Sequence, residues 1–175
     1  MTANDTWFIE HFSHTGSAIG FRTTGKLDEV QSPFQKIEIY DSTDWGKLMV
    51  IDGAMMLTTR DNFFYHEMIS HPVLFTHAAP KRVVIIGGGD CGTLREVLKH
   101  PSVEHVTLVE LDPAMTDMFG RIPALTALNG QALQNSKVTV VNTDAFTWLK
   151  DTDDMFDVIV VDFPDPTNFA IGKLY

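Results

Sequence analysis

The chain predicts an α/β fold in two parts. A small antiparallel β-hairpin unit occupies residues 1–60, and a doubly wound parallel sheet with intervening helices occupies residues 61–175. Three observations carry this expectation. Residues 7–58 alternate in polarity and turn often; short all-apolar runs recur from Val83 onward; and a helical stretch separates each of those runs from the next.

In the first part, Phe34 to Tyr40 places Gln35, Ile37 and Ile39 on one side and Phe34, Lys36, Glu38 and Tyr40 on the other, the period of a strand with a mostly apolar inner face. Lys47–Ile51 follows the turn residues Asp44-Trp45-Gly46, and Asp52-Gly53 signals a hairpin before Ala54–Leu57. The period changes over Asp61–His77, where Phe64, Met68, Ile69 and Phe75 fall near helical spacing. Asp61 suits the N-cap, Pro72 predicts a kink or a new turn, and Phe63-Phe64-Tyr65 reads mostly as core packing.

In the second part, Val83–Ile86 reads as a strand buried on both faces, followed by Gly87-Gly88-Gly89-Asp90-Cys91-Gly92 and a helix over Thr93–Lys99. Val106–Val109 is the next strand. A helical stretch over Ala114–Leu133 is interrupted at Gly120, Pro123 and Gly130. Val138–Val141, a short helix over Ala145–Lys150, and Val158–Val161 complete a Rossmann-like pattern.

Composition narrows the function. Thirteen Lys and Arg against 23 Asp and Glu leave a formal net charge of −10, which argues against a broad basic surface for nucleic acid and favours a small cationic partner. Cys91 is the single cysteine, so there is no intrachain disulfide, and a reducing cytoplasm is the expected compartment. No apolar run approaches the roughly 18 residues of a membrane span, and the first ten residues lack the basic start of a secretory signal.

Ligands of such sheets bind beyond the carboxyl ends of the strands, where this sequence sets Asp90, Glu110, Asp144 and Asp162. Gly87-x-Gly89-x-x-Gly92 satisfies the dinucleotide pattern, and Glu110 stands where a ribose-binding acid belongs. Asp90 inside the turn would repel a pyrophosphate but would attract an adenosine that carries a sulfonium side chain, so the second ligand is favoured over NAD. His66-Glu67-Met68-Ile69-Ser70-His71 is one residue too long for a zinc helix motif, because five residues turn about 500° and part the two imidazoles, so no metal is expected. His11, His14, His77, His100 and His105 show no ligand grouping, and Cys91 reads as a packed turn residue.

Gly87–Glu96 (GGGDCGTLRE), Tyr65-His66-Glu67, Ser32-Pro33-Phe34-Gln35 and Asp162-Phe163-Pro164-Asp165-Pro166 together resemble the spermidine synthase (polyamine aminopropyltransferase) family, over essentially the whole chain. The resemblance implies a fold like that of the S-adenosylmethionine methyltransferases. It also implies transfer of an aminopropyl group from decarboxylated S-adenosylmethionine, as co-substrate, to a diamine such as putrescine. The products would be spermidine and methylthioadenosine, and no further cofactor would be required. Gln35, Gly87, Gly89 and Asp90 would hold the donor, with Glu110 on its ribose and Asp144 and Ala145 on its adenine. Asp162 would be the general base, and Tyr65, His66 and Asp165 would line the acceptor site. A homodimer is the expected assembly.

Two departures temper the resemblance. Members of the family continue past the fourth parallel strand, so the chain reads as C-terminally truncated, with a sheet incomplete on that side. Phe163 and Pro164 stand where the short soluble enzymes favour Ser or Thr. The alternatives are a nucleoside-binding module without catalysis and, further off, an S-adenosylmethionine-dependent methyltransferase.

Overall fold

The structure, a computed structural model, describes residues 6–165 and 172–174; Pro166, the last residue of the Asp-Phe-Pro-Asp-Pro motif, lies outside them. Two compact units divide between Asn62 and Phe63.

The first unit is an antiparallel meander of β1 (Thr6–Phe12), β2 (Ser17–Gln31), β3 (Lys36–Ser42), β4 (Lys47–Ile51) and β5 (Ala54–Thr58), paired in chain order. β3 starts two residues later than the alternation predicts. The Ser32 hydroxyl accepts from the backbone N–H groups of Phe34 and Gln35, both at 3.0 Å, so these donors are used in a turn. Asp52 and Gly53, with φ of 49° and 84°, supply the two left-handed residues that a tight β4–β5 hairpin needs. Phe21, Leu48 and Val50 form the core, with Phe8, Tyr40 and Met55 packed against it.

Ile37 and Ile39 are buried as the inner face requires, but Glu38 between them is buried too. Its carboxylate takes ion pairs from Lys26 and Lys36 and a 2.9 Å hydrogen bond from the Tyr40 hydroxyl. The 15-residue β2 was not legible. It is mostly exposed, and two register shifts against β3, at Thr23/Gly25 and Lys26/Asp28, break the period that a pattern search needs.

The second unit opens with α1 (Asn62–Thr76), and here the apolar pattern misleads. His66, Ser70 and Leu74 are buried, whereas Phe64, Met68 and Phe75 are 66%, 71% and 76% exposed. Phe63 and Tyr65 are exposed as well, so the aromatic run is not core. The helix turns a polar stripe inward, where His66 meets the half-buried Asp90. α1 also runs unbroken through Pro72, with no new turn.

The parallel sheet holds β6 (Arg82–Gly87), β7 (His105–Glu110), β8 (Val138–Asn142) and β9 (Val158–Asp162) in the order β8-β7-β6-β9. Between them run α2 (Gly92–Leu98), α3 (Pro113–Arg121), α4 (Pro123–Leu128), a 3₁₀ turn at Ala132–Gln134, and α5 (Ala145–Asp151). Pro123 starts a new helix and Gly130, at φ 61°, follows the end of α4, but Gly120 lies inside α3 and interrupts nothing.

Val83 and Ile85 pack with Leu94, Val97, Val106 and Leu108 on one face of the sheet; Val84, Ile86 and Val109 pack towards Val141, Trp148 and Phe156 on the other. That two-sided burial is why β6 reads as a continuous apolar run. From β6 the chain proceeds outward to β7 and β8, then returns to place β9 on the opposite side of β6. The order therefore reverses between β6 and β9, and a crevice is expected outside their carboxyl ends. No helix among the described residues is long and apolar enough to cross a membrane.

Candidate active site at the strand-order switch

The turn after β6 is tied to the end of β9. The Gly88 N–H donates to the Asp162 carbonyl at 3.1 Å, and the Cys91 N–H returns to the Gly88 carbonyl at 2.9 Å. Cys91 takes φ 64° and is fully buried, so it acts as the turn residue expected of it; burial, with Asp90, Glu110 and Asp162 nearby, pushes its thiol well above the ordinary range.

All three glycines of the pattern are required by contact: a Cβ on Gly87 would lie 2.3 Å from the Asp162 carbonyl oxygen. A Cβ on Gly89 would lie 2.7 Å from the Glu110 Oε2 and 2.8 Å from the Met115 Cβ. A Cβ on Gly92 would enter the His66 ring, 2.1 Å from its Cε1. The glycine spacing thus makes room for an acid on β7 and an imidazole on α1.

Asp162 ends β9 with both carboxylate oxygens engaged. Oδ1 accepts from the Tyr65 hydroxyl at 2.7 Å and Oδ2 from the Thr93 hydroxyl at 2.6 Å. Burial and the charge of Asp90 raise its pKa, while the two hydroxyls and His66 pull the other way. Asp90 accepts from the Gly92 N–H at 2.6 Å and faces the His66 Nε2 at 3.3 Å through the same oxygen, Oδ1. Burial pulls the His66 imidazole down, but the bond to Asp90 and the charges of Asp90 and Asp162 prevail and hold its pKa above the ordinary value.

Glu110, at the end of β7, is buried; its Oε1 accepts the Asp112 N–H at 2.8 Å. Burial raises its pKa, and the bonds from the backbone N–H groups of Asp112 and Gly89 offset part of that rise.

The remaining expected residues are more dispersed. Asp144 is exposed and caps α5, accepting the Thr147 N–H at 2.8 Å, with the half-buried Ala145 as the first helical residue. Asp165 is exposed in the loop after β9. Gln35 lies in the first unit, where its carbonyl accepts the Ser32 N–H at 3.0 Å.

Sequence reasoning missed Thr93, a fully buried residue whose partner is 69 positions away. It also missed Asp112, which caps α3 through a 3.0 Å bond from the Ala114 N–H; the Asp-Pro signature of a helix start could have found it. His100, expected to stand alone, faces His71 with Nδ1 and Nε2 2.9 Å apart. The His71 Nε2 then lies 3.2 Å from Glu96, a fully buried acid that also pairs with Arg95 and Lys99. Glu67, His71 and Glu96 bring ligand atoms within 4.8 Å of one another, but the two cations on Glu96 already match its charge.

The switch therefore gathers a half-buried carboxylate of raised pKa, a second acid inside the glycine turn, and a third acid on the neighbouring strand. Such a group binds positive charge and accepts protons.

The chain is similar to known proteins over both units. The Spermidine synthase tetramerisation domain matches residues 6–59, and the Spermine/spermidine synthase domain matches residues 62–174. Polyamine aminopropyltransferases of Xylella fastidiosa strain M23 and Xanthomonas campestris pv. campestris strain B100 are 63% and 60% identical over 174 residues. The match takes in 98% of this chain and 60% of theirs, so the chain spans about three-fifths of the length of these relatives.

Among solved structures, a spermidine synthase in complex with the transition-state analogue AdoDATO is 34% identical. It superposes with a TM-score of 0.84 over 90% of this chain and 54% of that one. The spermidine synthase of Thermotoga maritima, also 34% identical, gives 0.85 over 93% and 55%. With domain matches across both units and an acid at the end of each of its four parallel strands or in the turn beyond, the chain belongs to the spermine/spermidine synthase family.

Proposed function

We propose that the protein of this chain is a polyamine aminopropyltransferase. It transfers the aminopropyl group of decarboxylated S-adenosylmethionine to putrescine, giving spermidine and methylthioadenosine. The observation that carries the reading is the pairing of Asp90, inside a turn that would otherwise suit a phosphate, with Asp162 across the switch. The donor is already activated as a sulfonium, so the chemistry requires neither metal nor redox cofactor.

The acceptor ammonium, with a pKa near 10, gives a proton to Asp162. Its nitrogen then attacks the methylene next to sulfur, the carbon–sulfur bond breaks, and the electron pair stays on sulfur as a neutral thioether. A raised pKa makes Asp162 a stronger base than an ordinary aspartate. Asp90 holds the donor's aminopropyl end, and the close turn of Gly87 and Gly89 admits the nucleoside. Glu110 takes the ribose, with Asp144 and Ala145 at the adenine. Tyr65 and Asp165 line the acceptor side, to which the buried His66 contributes through Asp90. Asp90 also disfavours ordinary S-adenosylmethionine, whose carboxylate would face it.

An oligomer, a homodimer at the least, is the assembly we propose, supported by the tetramerisation-domain match; the cytoplasm is the compartment.

Incubation of the chain with decarboxylated S-adenosylmethionine and putrescine should release methylthioadenosine and spermidine in equal amounts. A folded chain that binds methylthioadenosine in calorimetry but releases none would be a nucleoside-binding module instead. Preference for S-adenosylmethionine over its decarboxylated form would indicate a methyltransferase.

A further inference from the structure

We infer that Thr93 is a positioning residue for the proton-accepting step, holding Asp162 by its Oδ2 so that Oδ1 is the oxygen presented to the acceptor amine. This rests on the proposed role of Asp162 as base. Three features place Thr93 in that role. Its hydroxyl donates to Oδ2 at 2.6 Å, and it is fully buried in the first turn of α2. Gly88 also lies against Oδ2, since a Cβ there would come within 2.6 Å of that oxygen. Oδ2 therefore has both the Thr93 hydroxyl and the glycine turn close to it. Oδ1 faces the Tyr65 hydroxyl, whose residue is 50% exposed, and this is the side that a small amine can reach.

A buried threonine near a helix start commonly turns its hydroxyl to a nearby backbone carbonyl. Thr93 instead reaches to β9, and the bond it makes is to a charged acceptor, among the stronger hydrogen bonds in proteins. It favours the ionised form of Asp162 against burial and against Asp90; His66, on α1, and the Tyr65 hydroxyl act in the same sense, while the Cys91 thiol is neutral beside them. Without the Thr93 hydroxyl the carboxylate should bind its proton more tightly and lose its fixed rotamer. Both changes reach the acceptor step and spare donor binding.

Thr93→Val keeps the shape and removes the hydroxyl. The acidic limb of the kcat/KM profile should move up by about one pH unit, the scale of one hydrogen bond to a charged group. At a fixed pH on that acidic limb kcat/KM should fall about tenfold with the KM for donor unchanged, and Thr93→Ser should restore both. Packing alone would leave the pH limb in place.

The Asp162 carboxyl is also read without turnover, from 13C-labelled aspartate resonances assigned against Asp162→Asn. Its titration should move up in Thr93→Val and return in Thr93→Ser. If Thr93→Val does not fold, Thr93→Ala serves for both readouts. An Asp162 titration and pH limb unmoved by loss of the hydroxyl would overturn the inference. A shifted titration in a protein that transfers nothing would leave Thr93 as the holder of Asp162 and remove the catalytic reading instead.

Discussion

Glu38 in the β unit and Asp162 in the parallel sheet are acids treated in opposite ways. Burial works against the charge of both. Around Glu38 the meander gathers Lys26, Lys36 and the Tyr40 hydroxyl, and these outweigh burial and hold its pKa down to about 2. Around Asp162 the fold supplies another acid, Asp90, and only hydroxyls and one imidazole in compensation, so its pKa rises. An acid serving structure is given its cations. Asp162, the proposed base, is left short of them, and in the proposed reaction the cationic ligands would bring the missing positive charge.

The largest effect expected from disturbing this contrast is at Gly92. An alanine there drives its Cβ into the His66 ring, which is buried and has no open space to enter. Urea unfolding of Gly92→Ala should show a loss on the order of 3 kcal/mol, the upper range for overpacking. The His66 imidazole, moved off Asp90, should titrate at lower pH in NMR than it does in the parent. A variant of parent stability with an unmoved His66 titration would mean that the imidazole is not the counter-charge of the acid pair.

Next in size is a pair of substitutions with opposite signs. The folded pKa of Asp162 is raised, so its ionisation opposes folding. That penalty is absent below about pH 3.9, the unfolded value, and grows as the pH rises through the folded one. Asp162→Asn should therefore gain stability at pH 7, by about 1 kcal/mol as single substitutions go, and gain none at pH 3. Both neighbouring hydroxyls can rotate to suit the amide. Glu38 runs the other way. Its contribution is complete above about pH 4.3 and is lost as the pH falls towards about 2. Glu38→Gln should cost about 1 kcal/mol at pH 7 and progressively less as the pH falls towards about 2. Denaturant midpoints across pH give both curves, and parallel slopes would erase the distinction drawn between the two acids.

The two kinds of acid also differ in how far the sequence disclosed them. Asp90, Glu110 and Asp162 were legible because strand ends and glycine turns are local signals, and a parallel sheet brings strand ends together. What holds Asp162 was not, since Thr93 and Tyr65 meet it only in three dimensions, across 69 and 97 positions. The cluster of His71 with the buried His100 and Glu96 was hidden for the same reason. On α1 periodicity pointed the wrong way, because the helix buries His66 and Ser70 and leaves Phe64 and Met68 outside. In β3 the alternation found Ile37 and Ile39 but could not show that Glu38 is buried between them, as its partners come from β2 and from other positions on β3.

The smallest effect concerns Asp144, where structure and chemistry ask for the same residue. Its carboxylate caps α5 by accepting the Thr147 N–H, and it is also the acid expected at the adenine. Loss of the cap in Asp144→Ala should cost roughly 0.5–1 kcal/mol, and Asp144→Ser, which keeps an oxygen at the N-cap, should recover most of it. Methylthioadenosine affinity, measured by calorimetry on the same two variants, separates the roles. If the carboxylate itself binds the base, affinity should fall in both, whatever the stability does. If it only holds the start of α5 in place, affinity should follow stability and return with serine, and Asp144 would then belong with Glu38 among the acids that serve the fold.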